Sequence, residues 1–315
     1  YKSTIDAVLK EIKEEKQRYQ QTKQDSPDNS QNNNNKPSGL PIWAIDDANI
    51  NEDTKYRYRY LDLRRPRSKK FLLIKDKLCH EIRNFLHKRG FVDIETPILA
   101  QSSPEGARCF VVPSNLPNRY YTLPQSPQIF KQLLMMSGFD KHYQIDKSFR
   151  NEDARSNRQI EFSQLDLELS FASEQAIKKL VEKLLQTILK KVFGYQITAP
   201  FPTLTYQQYN QEVKKYESFR HPFTIPKKKY IEPLLNDKIK PEKVIGEAFD
   251  LICNGEELLS GSIRIYQRDL QEKVLQISGY KQEEREKNFG YFLRALEFAA
   301  PPHGGIGLGI DRLLA

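Results

Sequence analysis

The chain has 315 residues, and its 50 Lys and Arg against 41 Asp and Glu give a formal net charge of +9. That length supports one large domain or two small ones with a sizeable core, and the basic balance favours a polyanionic partner such as RNA. Cys79, Cys109 and Cys253 are too widely spaced for a disulfide framework or a C-x-x-C zinc site, which points to a reducing compartment, and no apolar run reaches the roughly 18–20 residues needed to cross a membrane.

The first residue is Tyr1, so the chain reads as a fragment in which a targeting segment would not be visible. Residues 1–24 carry a narrow apolar stripe of Ile5, Val8, Leu9 and Ile12 and predict a helix. From 24 to 38 the composition turns to Ser, Asp, Gln, Pro and a run of Asn, which buries too little to offset its ordering entropy. Residues 1–38 therefore read as a helical, low-complexity linker or insertion, with the globular domain at 39–315.

Within that domain, Phe71, Ile74, Leu78, Ile82, Phe85 and Leu86 fall on one helical face, and Gly90 suits a C-terminal cap. FVDIETPIL then alternates as a strand up to Pro97. Short strand-like runs at 109–113, 119–124 and 142–146 follow, with a short helix at 128–136 between the last two. In QIEFSQLDLELSF, Leu165, Leu167, Leu169 and Phe171 alternate with Gln164, Asp166, Glu168 and Ser170. That period of two predicts a half-buried strand with one apolar and one polar face.

Ser173 can cap a helix whose apolar positions run from Ile177 to Val192 with i, i+3, i+4 spacing, and Gly194 ends it. Residues 200–241, rich in Pro, Lys and Tyr, read mostly as loop. FDLICNGEELLSGSIRI reads as a hairpin turning at Asn254-Gly255. Helices at about 267–279 and 282–298 precede a glycine-punctuated strand that runs into a helix start. Strands and helices do not alternate strictly, so the fold class is α+β, an antiparallel sheet flanked by helices.

There is no G-x-x-x-x-G-K-[ST] loop, no G-x-G-x-x-G after a strand, no H-E-x-x-H among the five histidines and no G-x-S-x-G elbow. A nucleotide would have to be held by side chains from several strands. Arg150 beside Glu152 and Arg312 beside Asp311 suit bidentate phosphate or carboxylate contact. Asp250 and Glu257 flank the hairpin turn and would hold Mg2+ with a nucleotide's phosphates if they share a cavity. Structural ion pairing is the competing reading of each pair.

Six segments in order resemble the catalytic domain of class II aminoacyl-tRNA synthetases, in particular the bacterial aspartyl type. YRYLDLRRP (58–66) is similar to the family's leading segment and GFVDIETPIL (90–99) to motif 1. SPEGAR (103–108) resembles the loop that flips over the amino-acid pocket, and QSPQIFKQLLM (125–135) the aspartate-binding segment. FRNEDARSNRQIEF (149–162) is similar to motif 2 and GIGLGIDR (305–312) to motif 3.

The resemblance implies activation of L-aspartate by ATP, transfer to the 3′ end of tRNA(Asp), a homodimer, no membrane, and residence in the cytoplasm or a mitochondrial or other organelle matrix. It implies catalytic roles for Arg150, Arg312 and Glu257, and Mg2+ on Asp250 and Glu257. The nucleotide would meet Arg150, Asn151, Glu152, Gln159, Phe162, Glu257, Gly309, Ile310, Asp311 and Arg312, with adenine between Phe162 and Arg312. Aspartate would meet Glu105, Ser126, Gln128, Lys131, Arg150, Asp166, His221 and Arg264, with Arg264 clamping its side-chain carboxylate. The sequence departs from the family pattern at Arg220-His221, where a His pair is usual, at Leu259-Ser260, where glycines are usual and bulk would narrow the amino-acid pocket, and at Asn151. Beside the family pattern, the anticodon-binding and insertion domains are missing from this sequence, which reads either as a reduced enzyme or as a chain cut and joined from a longer protein. An asparaginyl or lysyl relative, and a non-catalytic RNA-binding paralogue, are the competing readings.

Overall fold

The computed structural model describes residues 51–101, 107–153, 158–205, 222–298 and 300–315. The expectations for residues 1–38, Glu105, Arg220 and His221 lie outside those residues. The chain divides into two compact units, Tyr1–Leu78 and Cys79–Ala315.

In the first unit, Asn51 caps helix α1 (Glu52–Arg57) by accepting from Thr54 N at 2.8 Å. Helix α2 (Arg59–Asp62) ends on the buried Asp62. Arg59, Arg65 and Ser68 all donate to that carboxylate, so this basic segment is folded around a single acid. Helix α3 (Pro66–His87) begins here; its Phe71, expected on the apolar face, is 53% exposed.

The described residues of the second unit form eight strands: β1 (Val92–Asp93), β2 (Val111–Pro113), β3 (Tyr120–Thr122), β4 (Lys141–Phe149), β5 (Glu161–Ser170), β6 (Ala248–Cys253), β7 (Glu256–Ile263) and β8 (His303–Gly309). Its helices are α4 (Gln128–Met136), α5 (Glu174–Ile188), α6 (Lys228–Leu235), α7 (Arg268–Ile277), α8 (Gln282–Glu297) and α9 (Ile310–Leu314). Six strands form one sheet in the order β1-β4-β5-β8-β7-β6, and β2 pairs with β3 apart from it. The sheet is antiparallel, as expected, except that β1 runs parallel to β4.

Several expectations change on folding. The strand predicted through Pro97 is only Val92–Asp93; beyond it Thr96 is tied to the side chain of Gln144 through two bonds of 2.9 Å, and this replaces ladder pairing. Phe171 leaves the alternation of β5 at φ 54° and is 76% exposed. Helix α6 occupies part of the stretch read as loop. The hairpin turn forms as expected: Asn254 and Gly255 take φ of 52° and 83°, the pair of left-handed residues that a tight two-residue turn requires.

The two faces of the sheet differ in chemistry. Leu165, Leu167, Leu259, Ile306 and Leu308 are buried on one face, where Ile177 of α5 meets β8. Ser173 caps α5 by accepting from Ala176 N at 3.2 Å, and a π-helical turn at Leu189–Phe193 extends the helix to Gly194. On the other face, β4 and β5 carry His142, Gln144, Asp146 and Ser148 beside Gln164, Asp166 and Glu168. The expected half-buried strand is thus buried on both faces, from Ser163 to Glu168. A second apolar cluster joins Ile129 of α4, Phe223, Leu275 of α7 and Phe289 and Phe292 of α8.

Candidate active site

Cross-strand partners share a face, so register alone lines up the candidate residues. Phe162 pairs with Ser148, Gln164 with Asp146 and Gly309, Asp166 with Gln144 and Gly307, and Glu168 with His142 and Gly305. Ser260 opposes Gly307 and Asp250 opposes Ser260. From Phe162 to Glu168 this face runs roughly 20 Å at ~3.3 Å per residue. The glycines of β8 form its floor. At Gly305 a Cβ would collide with the Leu167 carbonyl and the Glu168 carboxylate, so only glycine lets that acid lie flat across the strand.

One end of the face is a buried charge cluster. Arg264 donates through Nε to Glu168 Oε1 at 2.9 Å, through Nη2 to Oε2 at 3.4 Å and through Nη1 to Ser262 Oγ at 2.6 Å. Lys131 reaches down from α4: its Nζ lies 2.6 Å from Asp166 Oδ1, 3.4 Å from Glu168 Oε2 and 3.2 Å from the Ile306 carbonyl. Both cations and both acids are buried. Burial alone would raise the Glu168 carboxyl, but Arg264, Lys131 and His303 around it hold it below the usual carboxylate range. His142, buried beside Glu168, is pushed down to about 4 by burial and by Lys131. Gln128 is buried in the first turn of α4 with its Nε2 unpartnered among the described residues, and Ser126 lies just before that helix, half-buried.

The other end is open. Arg150 follows β4, and its guanidinium carbon sits 5.1 Å from the centroid of the Phe162 ring. Asn151, Glu152 and Gln159 are exposed around it. Arg312 stands on α9, just past the end of β8, and donates through Nη1 to the Glu257 carbonyl at 2.7 Å. Its side chain lies over Gly309, on the polar face. Asp311 Oδ2 accepts from Ser163 N at 2.7 Å and so ties α9 to β5, while the Ile310 side chain is fully buried, leaving only its backbone for a ligand.

A register shift between Leu251 and Ile252 makes Glu257 the partner of Ile252. That bulge turns Glu257 to the face carrying Asp250, two residues from Ile252 on β6. Two carboxylates fit Mg2+, a hard ion that keeps oxygen ligands from water and phosphate; no cluster of three or more ligating side chains exists among the described residues. Leu259, expected to narrow the amino-acid pocket, points the opposite way: it is buried against Leu308 on the apolar face, and only Ser260 faces the polar side.

Lys131, Arg150, Arg264 and Arg312 therefore all serve one face. Glu168, Asp146, His142, His303 and Ser262 were not singled out as site residues. For His142 and Asp146 the signal was the second alternating run, His142, Gln144, Asp146, Ser148, and for Glu168 the polar side of β5; these polar faces needed partner strands to become meaningful.

The aspartate–tRNA(Asp/Asn) ligase of Borreliella afzelii (strain PKo) is 30% identical over 439 aligned positions, covering 89% of this chain and 74% of the relative. The ligase of the same name from Dictyoglomus turgidum is 31% identical over 437 positions, covering 89% and 73%. Among solved structures, Entamoeba histolytica asparaginyl-tRNA synthetase in complex with asparaginyl-adenylate matches with a TM-score of 0.69 at 20% identity, over 86% of this chain and 68% of that one. The Pyrococcus horikoshii asparaginyl-tRNA synthetase complexed with asparaginyl-adenylate matches at 0.69 and 22%, over 84% and 69%. These likenesses extend to the fold. The family model for class II tRNA synthetases (D, K and N) matches residues 51–315, and the chain belongs to that family.

Proposed function

We propose that the protein is an aspartate–tRNA ligase that activates L-aspartate with ATP and transfers it to the 3′ end of tRNA(Asp). The observation that carries this reading is the seating of Arg264. Three of its five N–H donors are engaged by Glu168 and Ser262 among the described residues, which fixes the guanidinium and leaves donors for a carboxylate.

The chemistry follows the length of the face. Arg150 draws the attacking carboxylate and the α-phosphate together, and positioning with fixed positive charge does the work without a side-chain nucleophile. A carboxylate oxygen of aspartate bonds to the α-phosphorus as the bond to the β-phosphate oxygen breaks, and pyrophosphate leaves with the electron pair. Arg312 binds the outgoing phosphates, and Phe162 supports the adenine. Asp250 and Glu257 would hold Mg2+, which when bound spreads the charge developing on the phosphates. The terminal ribose hydroxyl of tRNA then attacks the aspartyl carbonyl and AMP departs. Lys131 is saturated by Asp166, Glu168 and the Ile306 carbonyl, so it assists through charge and by orienting those acids.

Aspartate-dependent pyrophosphate exchange tests the reading. Exchange is expected with aspartate, and Arg264→Ala is expected to lower it by roughly 10³-fold or more while ATP binding persists. Exchange with asparagine or lysine instead of aspartate would overturn the choice of substrate. Adenylate formation absent altogether, with tRNA still bound, would establish the non-catalytic reading.

We also propose a homodimer through the β1 side. β1 is an edge strand, Val92, Ile98 and Leu99 are exposed, and Ile94, Pro97, Phe130, Leu133 and Leu134 line a groove of about 150 Å³. A monomer by light scattering at micromolar concentration would refute it. No helix among the described residues is long and apolar enough to cross a membrane.

A further inference from the structure

Asp146 takes no part in the chemistry above, yet it lies on the same face, one step diagonally from Asp166 across β4 and β5. Asp146 Oδ2 accepts from Ser148 Oγ at 3.2 Å, and Asp166 Oδ1 is held by Lys131. The two remaining oxygens, Asp146 Oδ1 and Asp166 Oδ2, are both buried and have no donor among the described residues. Diagonal neighbours on one face of a strand pair are close enough for their side chains to meet, so the two carboxyl groups face each other. Ionised carboxylates only accept, so this contact requires one proton. Lys131 pairs with Asp166 and Glu168 and makes no ion pair with Asp146, which makes Asp166 the anion and Asp146 the acid.

We propose that Asp146 is a neutral carboxylic acid whose Oδ1–H donates to Asp166 Oδ2, and that by keeping this proton it sets the charge the amino-acid pocket admits. With it, Lys131 and Arg264 balance Asp166 and Glu168, and the ammonium of an incoming aspartate balances its side-chain carboxylate. Without it, one surplus negative charge faces the substrate. The charged groups facing Asp146 are Asp166 from β5 and Lys131 from α4; Gln164, its cross-strand partner, and Ser148 are neutral. Burial and the neighbouring Asp166 push the Asp146 carboxyl up to about 9, in keeping with this geometry. Asp146 acts through Asp166 and is a positioning residue. The substrate half of the inference rests on the aspartate reading; the shared proton does not.

Two measurements on the full chain and its Asp146→Asn variant separate them. The first is denaturant unfolding from pH 5 to pH 8. The fold keeps a proton here that the unfolded chain releases, so the unfolding constant of the wild type relative to the variant is expected to rise about tenfold per pH unit. A ratio independent of pH means that Asp146 is ionised in the fold, and overturns the proposal whatever amino acid is activated. The second is the KM for aspartate in pyrophosphate exchange. From pH 7.5 to pH 9.5 it is expected to rise roughly fourfold more in the wild type than in the variant, with no such difference in kcat. A relative fall, or parallel profiles, would overturn the charge-setting role. If the variant does not fold, infrared difference spectra of the wild type between pH 7 and pH 10 are expected to show one buried carboxylic acid ionising; its absence would refute the shared proton.

Discussion

Arg264 and Glu168 meet through two hydrogen bonds, of 2.9 and 3.4 Å, on the floor of the polar face, with Lys131 3.4 Å from the same carboxylate. Neither group could be buried alone, since a lone buried charge costs several kcal/mol. Glu168→Gln removes one of the two anions that offset Arg264 and Lys131, leaves Arg264 without its carboxylate, and is expected to destabilise the fold by about 3–5 kcal/mol in urea or guanidinium unfolding. It should also raise the KM for aspartate, because Arg264 loses the partner that orients it.

His142 predicts how the protein responds to acid. Burial and Lys131 push the imidazole down to about 4, from 6.5 in the unfolded chain. Between those values the unfolded chain binds a proton that the fold refuses. Stability is therefore expected to fall as pH drops from 6.5 towards 4, by up to about 3 kcal/mol from this residue. Glu168, held below its ordinary value, contributes stability that is present above the unfolded carboxyl's range and lost only at still lower pH. Unfolding curves of His142→Phe across pH 4–7 check the first effect: the slope in that window should flatten.

Two glycines of β8 should respond oppositely to alanine. At Gly305 the new Cβ would meet the Leu167 carbonyl and the Glu168 carboxylate, so Gly305→Ala is expected to cost roughly 2–3 kcal/mol of stability. At Gly307 the nearest side-chain oxygens are 3.6 and 3.7 Å away, an ordinary contact. Gly307→Ala should fold normally and instead raise substrate KM by filling the cleft floor. Thermal melts and exchange kinetics on the pair of variants distinguish fold from site.

Phe162 lies under the Arg150 guanidinium at 5.1 Å, at the open end. Phe162→Ala removes the stacking surface proposed for adenine and loosens Arg150. The KM for ATP is expected to rise about tenfold, in line with the ~1–3 kcal/mol of a base–aromatic stack, while the KM for aspartate changes less. Equal rises in both would argue against adenine at this position.

What the amino-acid order determined by itself was local. Alternation marked β5, the 3.6-residue period marked α5, and Asn254-Gly255 named its turn, because each depends on neighbours a few residues apart. Six motifs in order also resembled the family, and that resemblance implied Lys131, Arg150, Arg264 and Arg312 as one group. Only the tertiary structure decided what those side chains touch. The strand read through Pro97 shrank to two residues because Gln144, from another strand, claimed Thr96. Leu259 stays off the polar face because the pairing with Leu308 turns it into the core. Asp146 and Asp166 are twenty residues apart in the chain and meet only through the register of β4 and β5. Burial and cross-strand register arise when distant segments pair, and a buried charge takes its meaning from partners that lie far away along the chain.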